Sequence, residues 1–384
     1  MTVKQSKSTG ENLVVGVFIT ANHAKALITM NPKLVNSHRY IRYIELAKAN
    51  QDLDVTLYFF TTDDVSFQGK YVMGIYYNHQ ESIWQQKKFP LPHFLYDRGG
   101  GTSGKSLLVI KKFAALGIKN INAQHYFDKW DLYDRLSKLD MMSSLLPVTI
   151  KGDKALNIVQ MLNKYGHVYV KTRRGSCGTG VIRIEKNGPE KFRYYYSYGG
   201  KLSSDIFTEQ ELMQILYRFF GNKPFIIQKP IDLMKKGQCI IDFRSEVQKD
   251  KNGQLIITGT TARIGKPRSP IASNTHKEDY YPLESFVKDV MQFDEQISYV
   301  LQEKINCFLQ NVYRAVEQVY GSFGEMGIDF GMDRQGHLWL IECNSKSAKV
   351  ALYNAFGRQK VRQSFRNLLE YALYLAENQS NKKS

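Results

Sequence analysis

The sequence predicts an α+β fold with an N-terminal α/β domain. Three observations carry that prediction. Near the C-terminus, Gly327-Ile328-Asp329-Phe330-Gly331 and Leu338-Trp339-Leu340-Ile341-Glu342-Cys343-Asn344 read as two apolar strands joined by the polar turn Asp333-Arg334-Gln335-Gly336. Earlier, Val168-Tyr169-Val170-Lys171 and Val181-Ile182-Arg183-Ile184 read as strands on either side of a glycine-rich loop. Between these two regions, residues 294–320 carry a helical period. Ile305, Phe308, Leu309, Val312, Val316 and Val319 recur one turn apart, and Gly321 ends the run. That stripe is core.

The remaining elements follow along the chain. Residues 1–11 and 376–384 are polar and are expected to be disordered tails. Residues 12–125 read as a mixed domain, with strands near 13–19, 25–29, 55–60, 71–76 and 93–96 and a helix near 38–49. Asp128 is placed to cap a helix over about 129–140, ahead of Leu146-Pro147. The aromatic run from Phe192 to Tyr198 reads as a tyrosine-rich strand rather than a base-stacking platform. Further strands are expected at Pro224–Ile231, at 239–247 and at 255–263, and a last helix at 360–375.

Several of these elements carry chemistry. Glu342 and Asn344 are two apart on one strand and face the same way. In a hairpin turning at 333–336, Asp329 can lie across from them. Two carboxylates and an amide oxygen are hard ligands suited to Mg²⁺ held against phosphates, although a polar hairpin face would look the same. Lys171 ends its strand and runs into Thr172-Arg173-Arg174-Gly175-Ser176-Cys177-Gly178-Thr179-Gly180. Glycines such as Gly175 and Gly178 let backbone N–H groups approach phosphate oxygens, Ser176 adds a hydroxyl, and the lysine supplies a point charge. A plain glycine-rich hairpin is the simpler alternative. Arg244 and Arg263 would project from neighbouring strands.

The order strand-Lys-Gly-rich loop, Gln-Lys-Pro-Ile, Asp-Phe-Arg, Ala-Arg, Gly-Ile-Asp and Ile-Glu-Cys-Asn resembles the ATP-grasp superfamily over about residues 126–375. The stretches DKW…LLPVT, TGTTARIG and SNTH look like its YheC/YheD endospore coat-associated branch. The resemblance implies two small sheets sandwiching a nucleotide, with a lid subdomain over about 147–230. It implies ATP and Mg²⁺ as cofactors. Lys129 and Lys171 would contact phosphates, and the backbone of Gln228, Lys229, Pro230 and Ile231 would read adenine. Asp329, Glu342 and Asn344 would hold the metal, and Arg244 or Arg263 would stabilise the transferring group. The substrates would be a carboxylate and an amine, and spore coat proteins would be partners. Two departures stand out. Gly327 occupies a position where many ATP-grasp ligases place arginine, and Thr275-His276-Lys277-Glu278-Asp279 replaces an expected glycine pair.

A rival motif precedes all of this. Gly99-Gly100-Gly101-Thr102-Ser103-Gly104-Lys105-Ser106 satisfies G-x-x-x-x-G-K-[ST] between a plausible strand and a plausible helix. A P-loop also needs a downstream strand ending in a metal-side aspartate. The candidate, Asp242, falls inside the other pattern.

Composition bounds the rest. At 384 residues the chain has room for two or three units with a real core. No apolar run approaches the roughly 18 residues that span a bilayer, and no signal peptide is evident. The cysteines at 177, 239, 307 and 343 lack C-x-x-C spacing, which argues for a reducing, cytoplasmic compartment with spore coat association as the alternative. The net charge of +17 is dispersed, so nucleic acid is not expected, while an anionic polymer or peptide partner fits the electrostatics. The histidines form no spaced cluster. Three functions follow. The first is an ATP-dependent carboxylate–amine ligase linked to spore formation. The second is a non-catalytic coat-associated nucleotide-binding scaffold. The third is a P-loop phosphotransferase using residues 99–106.

Overall fold

The structure is a computed structural model that describes residues 12–29, 38–99, 103–152, 155–175, 180–198, 201–267, 269, 272 and 279–380. The expected tail at 1–11 lies outside the described residues, as do Ser176, Cys177, Gly178 and the departure at 275–278. The polar segment expected to be disordered from 376 is helical through Ser380.

Two compact units are present. The first comprises residues 1–123, 248–256 and 358–384. Its sheet is built around Leu13–Phe18, whose six residues are all buried. That strand pairs in parallel with Val55–Phe60 on one side and Phe94–Asp97 on the other. The order across the sheet is Val65–Ser66, Tyr71–Asn78, Val55–Phe60, Leu13–Phe18, Phe94–Asp97 and Lys119–Asn120, with Ile83–Pro90 paired to Tyr71–Asn78. A strand buried on both faces reads as an unbroken apolar run, which is why Leu13-Val14-Val15 was legible. Ile83–Pro90 was not expected, because its exposed Gln-Gln-Lys-Lys stretch carries no alternation to read.

The expected strand near 25–29 is instead the end of a helix, Ala21–Ile28. A short apolar run cannot be assigned by periodicity alone. Here Thr20 accepts a hydrogen bond from the His23 N–H at 3.4 Å and starts the helix, and the alanines propagate it.

The second unit comprises residues 124–247 and 257–357 and contains two sheets. One runs Lys201–Thr208, Lys191–Tyr198, Val181–Lys186, His167–Thr172, Phe225–Gln228 and Thr149–Lys151, antiparallel throughout. Helices Ala155–Tyr165 and Leu212–Phe220 seal one face of it, packing Ile158, Leu162, Leu216 and Phe220 against Val168, Val170, Ile182 and Ile184. The other sheet runs Asp279–Pro282, Leu255–Pro267, Cys239–Lys249, Glu325–Met332 and Leu338–Asn344. The helix Glu295–Tyr320, capped by Asp294 and ended by Gly321, covers one of its faces. Phe330 meets Phe308 of that helix at 5.3 Å between ring centres and stacks on Phe243 at 5.1 Å.

Alternation then decides what the opposite face carries. With Phe243 and Phe330 turned to the helix, Asp242, Arg244 and Asp329 turn away from it. In the last strand pair, Asp329 lies opposite Glu342 while Phe330 lies opposite Leu340, so Ile341 is the extra residue of a bulge. The bulge keeps Leu340 opposite Phe330 and also leaves Glu342 and Asn344 with Asp329 on the far face.

Gly74 tests the packing of the first unit. A methyl group there would come within 2.7 Å of Phe89 and 2.8 Å of Tyr58. Gly74→Ala is therefore expected to cost about 1–3 kcal/mol by overpacking, measured as a lowered thermal midpoint.

Candidate functional site

The exposed faces of the two sheets in the second unit line one cleft. Its walls include Lys129, Tyr169, Lys171, Gly175, Gln228, Lys229, Ile231, Asp242, Arg263, Asp329, Ile341 and Glu342. Most residues singled out from the sequence therefore meet in one place. Arg244 and Asn344 join them through Asp329. Pro230 lines a neighbouring pocket, and Ser176 and Gly178 lie outside the described residues.

The first sheet supplies the cationic side. Asp128 caps the helix Lys129–Leu136 by accepting from the Trp130 N–H at 3.0 Å, and it also pairs with Arg173 at 2.9 Å. This fixes Lys129 against the glycine-rich segment. Its backbone N–H donates to the Arg173 carbonyl at 2.9 Å, and its Nζ reaches the Gly175 carbonyl and Glu342 Oε1, both at 3.0 Å. Lys171 donates to Gln228 Oε1 at 2.5 Å, and Gln228 Nε2 donates to Thr149 Oγ1 at 3.0 Å. Burial pushes the Lys171 ammonium down to about 8, against the pull of Glu342.

The strand end at Gln228 leads into a polar edge. The Lys229 N–H is taken by the Val148 carbonyl at 2.8 Å, and the Ile231 carbonyl by the Leu233 N–H at 2.9 Å. The Lys229 carbonyl and the Ile231 N–H make no backbone hydrogen bond among the described residues. One acceptor and one donor are thus left beside the apolar walls of Ile231, Leu233 and Ile240. The Lys229 ammonium lies over the Tyr165 ring at 5.4 Å.

The second sheet supplies a buried ion network. Asp329 Oδ1 accepts from Arg244 Nε at 2.6 Å and from Arg263 Nη2 at 2.8 Å. Its Oδ2 accepts from Arg244 Nη2 at 2.5 Å and from Asn344 Nδ2 at 3.1 Å. A carboxylate offers about four acceptor positions, and all of them are filled here. Arg263 also binds Asp242 Oδ1 at 2.6 Å. Burial works to raise the Asp329 pKa, but Arg244 and Arg263 outweigh it and hold the carboxyl below the usual range. At Asp242 burial prevails over Arg263 and the pKa is raised. Gly327 has a spatial reason: a Cβ there would come within 3.0 Å of Arg244 Nη1. The missing side chain makes room for an arginine arriving from the neighbouring strand.

Sequence reasoning did not place Asp242 in this cluster. The signal was present in Asp242-Phe243-Arg244, whose outer members share a face. Nor did it anticipate the Gln228 side-chain tie to Lys171, which requires two strands remote in sequence to pair.

The rival loop has a different setting. Ser103 accepts from the Ser106 N–H at 3.2 Å as an ordinary N-cap, and Lys105 is 79% exposed, 3.6 Å from Asp63. Gly100, Gly101 and Thr102 lie outside the described residues. Asp242, the aspartate that a P-loop would need, belongs to the other unit and is bound to Arg263.

A cleft between two antiparallel sheets, with lysines on one wall and paired carboxylates on the other, defines an ATP-grasp architecture. The chain belongs to the YheC/D like ATP-grasp family, whose model matches residues 117–375. It is 23% identical over 342 residues to the endospore coat-associated protein YheC of Bacillus subtilis (strain 168), covering 88% of this chain and 93% of that one. It is 21% identical over 344 residues to YheD of the same organism, covering 88% and 75%. Among solved structures it resembles the VanG D-Ala:D-Ser ligase of Enterococcus faecalis, with a TM-score of 0.56 at 12% identity over 95% of this chain and 100% of that one. That likeness establishes the shared fold. No helix among the described residues is long and apolar enough to cross a membrane.

Removing one member of a buried ion network leaves its partners uncompensated, at a cost of about 3–5 kcal/mol. Asp329→Asn is expected to destabilise the second unit by that amount in urea unfolding, because Arg244 and Arg263 both lose their partner. Glu342→Gln should cost far less, because its side chain is 27% exposed and it loses one partly solvated lysine.

Proposed function

We propose that this protein binds Mg-ATP in the cleft of its second unit and acts as an ATP-dependent carboxylate–amine ligase linked to spore formation. The observation that carries this reading is the convergence of Lys129, Lys171, Arg263, Asp329 and Glu342 on one cleft with apolar walls. The two lysines offset phosphate charge, and the segment entered at Gly175 brings backbone toward the phosphates. The Lys229 carbonyl and the Ile231 N–H suit the donor and acceptor edge of adenine, with Ile231, Leu233 and Ile240 against its faces.

The donor set also fits a cation, with one qualification set by geometry. Glu342 and the Asn344 Oδ1 are the oxygens to offer, while Asp329 is fully engaged until an arginine turns away. Bound Mg²⁺ would bridge phosphate oxygens and offset their charge. On this reading, Arg244 or Arg263 leaves Asp329 for the transferring phosphoryl group, and Asp329 is freed by the same movement.

The chemistry then runs in two balanced steps. A substrate carboxylate oxygen attacks the γ-phosphorus and ADP leaves. An amine then attacks the acyl carbon, phosphate leaves, and the amine loses its proton. The names of the relatives and the ligase fold favour this assignment over the P-loop, whose lysine is exposed and paired with Asp63.

Phosphate release from Mg-ATP that depends on added carboxylate and amine is the expected result. Nucleotide binding without such release would favour the coat-associated scaffold. Lys171→Ala should weaken ATP far more than adenosine, and Lys105→Ala should change neither. A reversed pattern would move the nucleotide to residues 99–106.

Lys171 also sets a pH dependence. Its pKa is about 8 without ligand, and phosphates raise it by favouring the charged form. The complex therefore holds more protons than the free protein between those two values. ATP affinity should be highest below pH 8 and fall as pH rises through it. Calorimetry in buffers of different ionisation enthalpy should register proton uptake near that pH, lost in Lys171→Ala.

A further inference from the structure

The first unit carries a second concentration of positive charge, and it lies where parallel sheets bind ligands. In open α/β sheets, that place is outside the carboxyl ends of the strands, where neighbouring connections diverge. Leu13–Phe18 is the central strand, and its parallel partners lie on opposite sides. The Arg98 N–H donates to the Phe18 carbonyl at 2.9 Å, which places Arg98 at that edge.

One face of the sheet can be followed by register. Val17 lies opposite Phe59 and opposite Tyr96, so the three side chains share a face. The helix His38–Ala49 packs there, with Tyr43 against Phe59 at 5.9 Å between ring centres. Arg42 of that helix donates to the Tyr43 hydroxyl at 3.1 Å, and the same hydroxyl lies 3.1 Å from His23 Nδ1. Arg98, 5% exposed, lies over the Tyr96 ring at 5.4 Å and over Phe365 at 6.0 Å.

The carboxylate on this helix is already engaged. Glu45 is fully buried and accepts from Arg358 Nε and Arg362 Nε, each at 2.8 Å. It is thereby taken up by two other arginines. Asp97 follows Tyr96 on the strand and so points to the opposite face, where its Oδ1 accepts from the Gly99 N–H at 2.9 Å. The Arg42 Nε is buried with no hydrogen-bond partner. Burial and the charge of Arg98 both lower the Arg42 pKa, in that order. Two guanidinium groups held together in a poorly solvated place repel each other, and such an arrangement persists where something compensates it.

We propose that Arg42 and Arg98, with the Tyr43 hydroxyl and His23 beside them, form a binding site for an anionic oxygen group, a carboxylate or a phosphate. Guanidinium forks match both groups with paired N–H donors. The site lies wholly within the first unit and does not depend on the nucleotide assignment.

The test uses the full chain with inorganic phosphate and succinate as separate probes, read by thermal shift and calorimetry. Wild-type protein should bind at least one probe saturably, and the tighter of the two identifies the group. Arg42→Met should weaken that binding at least tenfold and, without probe, raise the thermal midpoint, because it removes a repulsion. Arg98→Lys keeps the charge and loses the fork, and should weaken binding with the fold retained. Lys171→Ala should leave binding unchanged. The proposal is overturned if neither probe binds wild-type protein, or if Arg42→Met binds like wild type. It is equally overturned if Arg42→Met lowers the midpoint without probe, or if Lys171→Ala alone abolishes binding, which would place the anion in the other unit's cleft.

Discussion

Asp329 is buried with both carboxylate oxygens held by guanidinium groups, and the geometry of one cleft wall follows from that contact. An isolated carboxylate could not remain charged there. Arg244 and Arg263 keep it ionised, and Asp242 compensates Arg263 in turn. These side chains come from three neighbouring strands, so the network also ties their register together. Gly327 belongs to the same arrangement, because its missing side chain is the space that Arg244 occupies.

Phe243, Phe330 and Phe308 make this possible from the other face. Their stack fixes which way each strand is turned. Strand alternation then leaves the charged residues no choice of side. The bulge at Ile341 applies the same logic locally, since it keeps Leu340 in the core while Glu342 and Asn344 face the cleft. An apolar contact on one surface thus positions an ionic site on the opposite one. The lysine wall is built differently: Lys129 depends on the Asp128 cap, and Lys171 on Gln228 of the adjacent strand.

Much of this was legible along the chain. The hairpin spacing brought Asp329 across from Glu342, as the register has it. The period of 305–319 and its closing Gly321 marked the long helix almost to the residue. The Asp128 cap was readable because a cap is a local feature. The strand expected near 25–29 failed for an equally local reason: Ala-Leu-Ile over a few residues suits either state, and Thr20 decided for helix. The polar strand Ile83–Pro90 carried no signal, because its order comes from pairing with Tyr71–Asn78.

The sequence by itself determined the element types, the hairpin that carries the acidic residues, and membership of a nucleotide-binding fold class. These depend on periodicity, caps and short spacings, which are properties of neighbouring residues. Tertiary structure alone decided that Asp329 is saturated by arginines, that Gln228 holds Lys171, and that Arg42 and Arg98 share one face of another sheet. Each of these joins residues dozens of positions apart. Their meeting depends on strand order and register, which are set by how whole faces pack and not by any local run of residues.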